Sequence, residues 1–323
     1  MKAAVVTETG VQVREAPRPA PKPNEILIRV KAASLNRADL AVASGHRHGA
    51  VGGPGTIVGL ECAGDVEEVG SEVSGFRPGD RVMSSVAGGF AEYAVADAGR
   101  AHKIPANNMS YEQASCMAVA LQTMHNALVT VGRLCAGESV LIQGASSGVG
   151  LMGMQIAKLM GAKPVLGSST SSARRARLKE FGADIAVDTN DPSWPDAVLT
   201  ATSGTGVNLI VDQVSAGVAN GNLKAAAVLG RIVNVGRLGG PTGEFDFELH
   251  ALKRIDYIGV TFRTRTVEEV RAIVQAMRAD LWPAVEAGTL TLPIDRVFPL
   301  DQVVEAQAHM RANNHLGKIV LAV

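Results

Sequence analysis

Cysteine is scarce. Cys62, Cys116 and Cys135 are scattered through 323 residues, too few and too far apart for a disulfide framework, so reduced thiols and a cytoplasmic setting are expected. No run of about 18 apolar residues occurs, and no membrane-spanning helix is expected. The start, Met1-Lys-Ala-Ala-Val-Val-Thr-Glu8, lacks the long apolar core of a secretory leader. Neither sign of charge predominates: 31 Lys and Arg balance 31 Asp and Glu. With no basic block, neither a nucleic-acid nor a polyanion surface is expected. There is no internal repeat. The only biased segment is Ala16-Pro-Arg-Pro-Ala-Pro-Lys-Pro23, read as a surface connector between two strands, with a partner-binding polyproline segment as the alternative. Also missing are a Ser–His–Asp or Cys–His arrangement suited to a nucleophile and any evident pair of catalytic carboxylates.

What is present centres on Ser139-Val-Leu-Ile-Gln-Gly144-Ala-Ser-Ser-Gly148-Val-Gly150. An apolar strand runs into a glycine-rich turn, and Val149, Met152, Ile156 and Leu159 then recur at helical spacing, which predicts a helix over 149–160. Strand, turn and helix form the phosphate-binding corner of a dinucleotide fold: glycine lets the backbone approach the pyrophosphate, and N–H groups at the helix start face its charge. Ala145 and Ser147 stand where glycines are common. A turn that only packs a helix on a sheet is the structural alternative.

The first hundred residues read as short strands at 2–6, 25–32, 61–69, 81–85 and 90–95, with Gly75-Phe-Arg-Pro-Gly-Asp80 as a turn. Ser110-Tyr-Glu-Gln113 fits a capping box that opens a helical stretch. From Ser139 strands (140–143, 164–167, 185–188, 209–214, 231–235 and 256–261) alternate with helices (149–160, 171–181, 194–203 and 217–228), the pattern of a covered parallel sheet. The tail adds a helix over 267–286, a strand over 296–299, a helix over 302–311 and a strand over 318–323.

Several short motifs, spread over the whole chain, resemble the medium-chain dehydrogenase/reductase superfamily, and within it the zinc-free quinone oxidoreductase branch that includes ζ-crystallin. They are Ala33-Ser-Leu-Asn36-Arg-Ala-Asp39, Gly59-Leu-Glu61-Cys-Ala-Gly64-Asp-Val-Glu-Glu-Val-Gly70, Phe76-Arg-Pro-Gly-Asp80-Arg-Val, Gly89-Phe-Ala-Glu-Tyr93, the segment from Gly144 to Gly150, and Gly317-Lys-Ile-Val-Leu. The resemblance implies an α/β protein of two domains. One is a GroES-like, mainly-β catalytic domain (1–117 and 263–323); the other is a doubly wound Rossmann parallel sheet (118–262) inserted into it. It also implies a homodimer joined through an edge of the parallel sheet.

Zinc enzymes of the superfamily use a Cys in the first segment and Gly-His-Glu in the second. Asn36 and Leu60 occupy those places here, and neither offers the thiolate or imidazole that zinc prefers. The four-Cys structural lobe is absent as well, so no metal is expected. His46, His48 and Cys62 lie close in sequence but lack a convincing third ligand partner, and solvated or substrate-lining roles suit the histidines better. Without a metal, the electron-poor acceptors left to a reduced nicotinamide are quinones and α,β-unsaturated carbonyls, which carry their own electron sink.

By resemblance, Asn36 and Thr123 are the catalytic candidates near the nicotinamide. The Asn36 amide would donate to the substrate oxygen or fix the cofactor carboxamide; capping a local turn is its alternative. The alternative for Thr123 is a hydroxyl bonded within its own helix. Many branch members carry a substrate-lining Tyr after Ser-Gly-x, whereas here Ser44-Gly45-His46 is followed by Arg47; His46 and Arg47 either line the substrate cleft or are solvated loop residues. For the cofactor, Ser146, Gly148 and Val149 belong to the phosphate turn. The second strand of the sheet ends in Ser168 and Ser169 with no acid, and Arg174 follows, which suits a 2′-phosphate and favours NADPH over NADH. Val214, Val235, Gly236, Thr261, Phe262, Gly317 and Lys318 complete the expected cofactor contacts. The expected activity is an NADPH-dependent, zinc-independent quinone or enone reductase. A 2-enoyl thioester reductase and a low-turnover NADPH-binding structural or regulatory protein are the alternatives.

Overall fold

The computed structural model describes residues 1–47 and 52–323. They divide into two compact units, Met1–Ala120 with Phe262–Val323, and Leu121–Thr261. In chain order the first stretch holds strands β1 (Lys2–Thr7), β2 (Gly10–Glu15) and β3 (Glu25–Ser34), helix α1 (Arg37–Ala43), strands β4 (Glu61–Val69), β5 (Arg81–Ser85), β6 (Tyr93–Asp97) and β7 (Ala101–Lys103), and helices α2 (Tyr111–Ser115) and α3 (Ala118–His125). Then follow β8 (Val140–Gln143), α4 (Gly148–Leu159), β9 (Val165–Ser168), α5 (Ser172–Ala176), β10 (Ile185–Val187), α6 (Trp194–Ala201), β11 (Val207–Asp212), α7 (Ala219–Ala225), β12 (Ala226–Asn234), α8 (Phe247–Lys253) and β13 (Asp256–Gly259). The chain returns through α9 (Val267–Glu286), β14 (Ile294–Pro299), α10 (Val303–Arg311) and β15 (Lys318–Ala322).

The unit formed by the two chain ends is built on a sheet of order β14-β15-β3-β4-β5-β7, with β6 also paired to β3. Strand β3 organises it. Its apolar residues Ile26, Ile28 and Val30 are buried, and it pairs antiparallel with β4, β6 and β15. The core gathers these with Val58, Val82, Phe90, Phe298 and Leu321.

The central unit is a wholly parallel sheet of order β10-β9-β8-β11-β12-β13. Numbered within the unit this is 3-2-1-4-5-6, the order of dinucleotide-binding sheets, whose switch point lies between β8 and β11. The strands read as near-continuous Val, Ile and Leu because parallel strands bury both faces. Leu141, Leu166, Ile210 and Ile232 are fully buried.

The two-domain class matches expectation; several local details differ. The segment 171–181 is not one helix. Ser171 caps α5, and a 3₁₀ turn over Leu178–Phe181 then buries Leu178 and ends at Gly182, φ +95°. The Ala-rich stretch at 225–228 favours helix locally, yet α7 stops at Ala225 and β12 opens by pairing Ala226 with Val207, so sheet pairing overrides propensity. Leu159 is exposed rather than part of a buried face. Helix α4 is buried on more than one side, through Leu151, Met152, Met154, Ile156 and Ala157. Phe90 and Ala91 precede β6, and Ala91 forms an isolated bridge to Ala3. Strands β2 and β7 and helix α8 have no counterpart in the sequence reading.

Candidate active site

Three neighbouring strands converge on one buried polar cluster. The end of β3 and the starts of β4 and β15 lie side by side, because Ala33 pairs with Cys62 and Ser34 with Val320. This register brings Ser34, Asn36, Glu61 and Lys318 together. Glu61 Oε1 accepts from Lys318 Nζ at 2.7 Å, Ser34 Oγ at 2.7 Å and Asn36 Nδ2 at 2.9 Å. Its Oε2 accepts from the Val119 backbone N–H at 2.9 Å, at the start of α3, where helical N–H groups lack internal partners. Lys318 Nζ also donates to Asn36 Oδ1 at 3.0 Å. All four side chains are buried, and a buried ion pair holds only when its remaining polar atoms are satisfied in this way.

Asn36 is the N-cap of α1, and its backbone N–H donates to Asp39 Oδ2 at 2.7 Å. Asp39 is fully buried, and its Oδ1 has no hydrogen bond of good geometry among the described residues. Burial is the main cause that pushes its pKa up to about 7; the nearby Glu61 charge adds to this, and the Asn36 backbone N–H and Lys318 oppose it.

In the central unit the turn from Gly144 to Ser147 leaves the carboxyl end of β8 and enters α4. Gly144 has φ +70°, and Ser147 caps the helix by accepting from the Gly150 N–H at 3.0 Å. A Cβ at Gly150 would lie 2.7 Å from Ala145 Cα, so glycine is needed for the helix to close on the turn. A buried chain of hydrogen bonds braces this corner. Ser168 Oγ accepts from the Gly144 N–H at 3.0 Å and donates to Gln143 Oε1 at 2.6 Å. Gln143 Nε2 donates to Asn222 Oδ1 at 2.8 Å, and Asn222 Nδ2 donates to Asp212 Oδ2 at 3.0 Å. Asp212 Oδ1 accepts from the Val214 and Ser215 N–H groups at 2.8 and 2.9 Å. The helix start, the switch point and this braced turn fit a dinucleotide pyrophosphate.

The other candidates are placed as follows. Thr123 lies in α3, partly buried. His46 and Arg47 are exposed beyond the end of α1, and His48 lies outside the described residues. Ser146 Oγ is 3.1 Å from Ser169 Oγ. Gly148 and Val149 open α4. Arg174 is partly buried, and burial lowers its pKa from the ordinary guanidinium value. Arg175 pairs with Asp188 at 2.8 Å and Arg177 with Glu180 at 2.9 Å. Val214 follows the end of β11, and Val235 and Gly236 follow β12, their N–H groups donating to the Asp212 carbonyl. A Cβ at Gly236 would lie 2.7 Å from the Gln213 carbonyl oxygen. Thr261 and Phe262 follow β13, both partly buried. Gly317 makes the turn into β15 at φ +86°. Lys318 faces the Glu61 cluster. Sequence reasoning assigned no role to Glu61; its one signal is a carboxylate placed directly before the small, buried Cys62, Ala63 and Gly64.

Two family models match, one for an alcohol dehydrogenase GroES-like domain over residues 22–106 and one for a zinc-binding dehydrogenase over residues 148–279. Human quinone oxidoreductase is 31% identical over 94% of this chain and 90% of its own length. Highly reducing polyketide synthase 40 of Fusarium pseudograminearum is 29% identical over 93% of this chain, a segment that makes up 12% of the synthase. A mycobacterial structure complexed with NADPH superposes with a TM-score of 0.88 at 27% identity, covering 100% of both chains. The chain belongs to the medium-chain dehydrogenase/reductase superfamily, among the relatives of its quinone oxidoreductases.

The residues present do not fit the zinc that one of these family models names. Asn36 and Leu60 supply neither thiolate nor imidazole. Cys62 is buried, and burial pushes its thiol up to about 12. Glu61 Oε1 is already occupied by three donors, one of them an ammonium. Among the described residues no group of three or more His, Cys, Asp and Glu side chains is placed to hold a metal ion, and no helix is long and apolar enough to cross a membrane.

Proposed function

We propose that this protein is an NADPH-dependent, zinc-independent reductase of quinones or α,β-unsaturated carbonyls. The observation that carries the reading is the Asn36 amide, held between Glu61 and Lys318 in a charged cluster where zinc relatives place a thiolate. An amide N–H offers a hydrogen bond to an oxygen that gains negative charge, which is sufficient for an acceptor that carries its own electron sink. Bound NADPH would supply hydride from its nicotinamide ring.

The protein's residues take the following parts. Asn36, with Thr123, positions the nicotinamide carboxamide or the acceptor oxygen, and His46 and Arg47 line the acceptor. The turn at Ser146, Gly148 and Val149 receives the pyrophosphate. Arg174 and Ser169 receive the 2′-phosphate, with Ser168 bracing the turn behind them. Val214, Val235, Gly236, Thr261, Phe262 and Gly317 complete the cofactor contacts, while Lys318, buried against Glu61, supports Asn36 in place of the expected cofactor contact. We further propose a homodimer through β13. Among the described residues this strand has a neighbour on one side only, and Phe247, Leu252 and Tyr257 around it are exposed, an edge of the kind that pairs with a second copy.

The similarity to a polyketide synthase segment favours a second reading, reduction of 2-enoyl thioesters. Both are tested by steady-state NADPH oxidation with para-quinones, small enones and an enoyl-CoA, with NADH in parallel. Turnover with quinones or enones and NADPH supports the first reading. Turnover confined to the thioester supports the second. NADPH binding with no turnover on any of them supports the low-turnover binding role and ends the enzyme reading.

A further inference from the structure

An asparagine side chain ordinarily leaves its oxygen and nitrogen interchangeable. At Asn36 the chemistry of its neighbours removes that freedom. One end of the amide meets Glu61 Oε1 at 2.9 Å, and the other meets Lys318 Nζ at 3.0 Å. A carboxylate only accepts and an ammonium only donates. Reversal would set N–H against the ammonium and C=O against the carboxylate, two repulsive contacts in a buried setting. Both neighbours are themselves immobilised: Glu61 by Ser34, Lys318 and the Val119 N–H, and Lys318 by Glu61. Asn36 keeps 8% of its surface exposed and Glu61 none, so Asn36 is the member of the pair that a ligand can touch.

We infer that Glu61 and Lys318 are positioning residues that lock the polarity of the Asn36 amide, leaving the second Nδ2 hydrogen as the group presented to the acceptor. This rests on the proposed reductase activity. It narrows the acceptor to molecules that offer an oxygen lone pair at this point and disfavours those that present an O–H or N–H donor. The ammonium on Oδ1 also polarises the amide and strengthens the N–H as a donor. Lys318 therefore supplies a fixed positive charge one residue removed from the acceptor.

The test is a mutant cycle on kcat with the full chain, NADPH and the best quinone or enone. Lys318→Met and Asn36→Ala are each expected to lower kcat about tenfold or more. Adding Lys318→Met to Asn36→Ala is expected to lower it by less than about twofold, because Lys318 acts through Asn36. Removal of one buried charge can unfold the chain, so Glu61→Gln with Lys318→Met provides a charge-neutral check. That double variant is expected to melt close to the parent and still lose kcat, since Gln no longer dictates which end of the amide faces it. Multiplicative losses in the cycle, or a folded charge-neutral variant with parental kcat, overturn the assignment. A wild-type protein that binds NADPH yet reduces none of the acceptors overturns the reductase reading itself, and the assignment with it.

Discussion

Lys318 Nζ lies 2.7 Å from Glu61 Oε1, and neither side chain has more than 3% of its surface exposed. The two residues are far apart in sequence and meet because β15 and β4 flank β3. Loss of one partner strands a buried charge. Lys318→Met alone is expected to lower unfolding free energy by about 3–5 kcal/mol, and the charge-neutral Glu61→Gln with Lys318→Met by much less. Denaturant unfolding of the three proteins measures the difference.

Gly317 precedes that lysine in a left-handed conformation, φ +86°, and a Cβ there would lie 2.3 Å from the Pro293 carbonyl oxygen. Gly317→Ala is expected to cost more than the ~1–2 kcal/mol of a left-handed residue alone, because the Pro293 carbonyl must also shift. Thermal unfolding reads this directly, and a loss below about 1 kcal/mol would show that the turn relaxes.

Asp39 gives a dependence on pH with a definite sign. Its pKa in the folded protein is pushed up to about 7 by burial, from an ordinary 3.8. Between those values the unfolded chain has released the proton and the folded chain retains it. Stability from this group is therefore full below about pH 4, falls as pH rises, and levels off above about pH 7. An amide at this position does not titrate. Relative to the parent, Asp39→Asn is expected to gain about 3 kcal/mol between about pH 5 and about pH 8, at about 1.4 kcal/mol per unit over the titrating part. Urea unfolding at several pH values tests it, and a difference independent of pH contradicts it.

Arg174 follows a strand end that carries serines and no acid. Arg174→Ala is expected to raise the KM for NADPH by about tenfold or more, the value of a charge-assisted hydrogen bond, with the KM for NADH nearly unchanged. Equal effects on both cofactors would place the arginine away from the 2′-phosphate.

The parallel sheet was legible because its buried strands are short Val, Ile and Leu runs closed by Gly or Ser, as at Val140–Gln143 and Val165–Ser168. The return of the tail to the N-terminal β region came from motif resemblance, since periodicity says nothing about which distant strands pair. Local propensity misled where pairing decided the outcome, as at Ala225–Val228. Asn36 and Lys318 were named from their motifs. The role of Glu61 was not legible, because its partners lie 25 and 257 residues away along the chain and only the β15-β3-β4 register brings them together. The bracing chain from Ser168 to Asp212 was hidden for the same reason.

The most direct measurement uses NADPH deuterated at the transferring position of the nicotinamide, incubated with the protein and a simple enone. The expected product is the saturated ketone with one deuterium on the former β-carbon and a solvent hydrogen on the α-carbon. NADPH that binds but leaves the enone unreduced, or a reduced product without deuterium, contradicts direct hydride transfer to an acceptor held at Asn36.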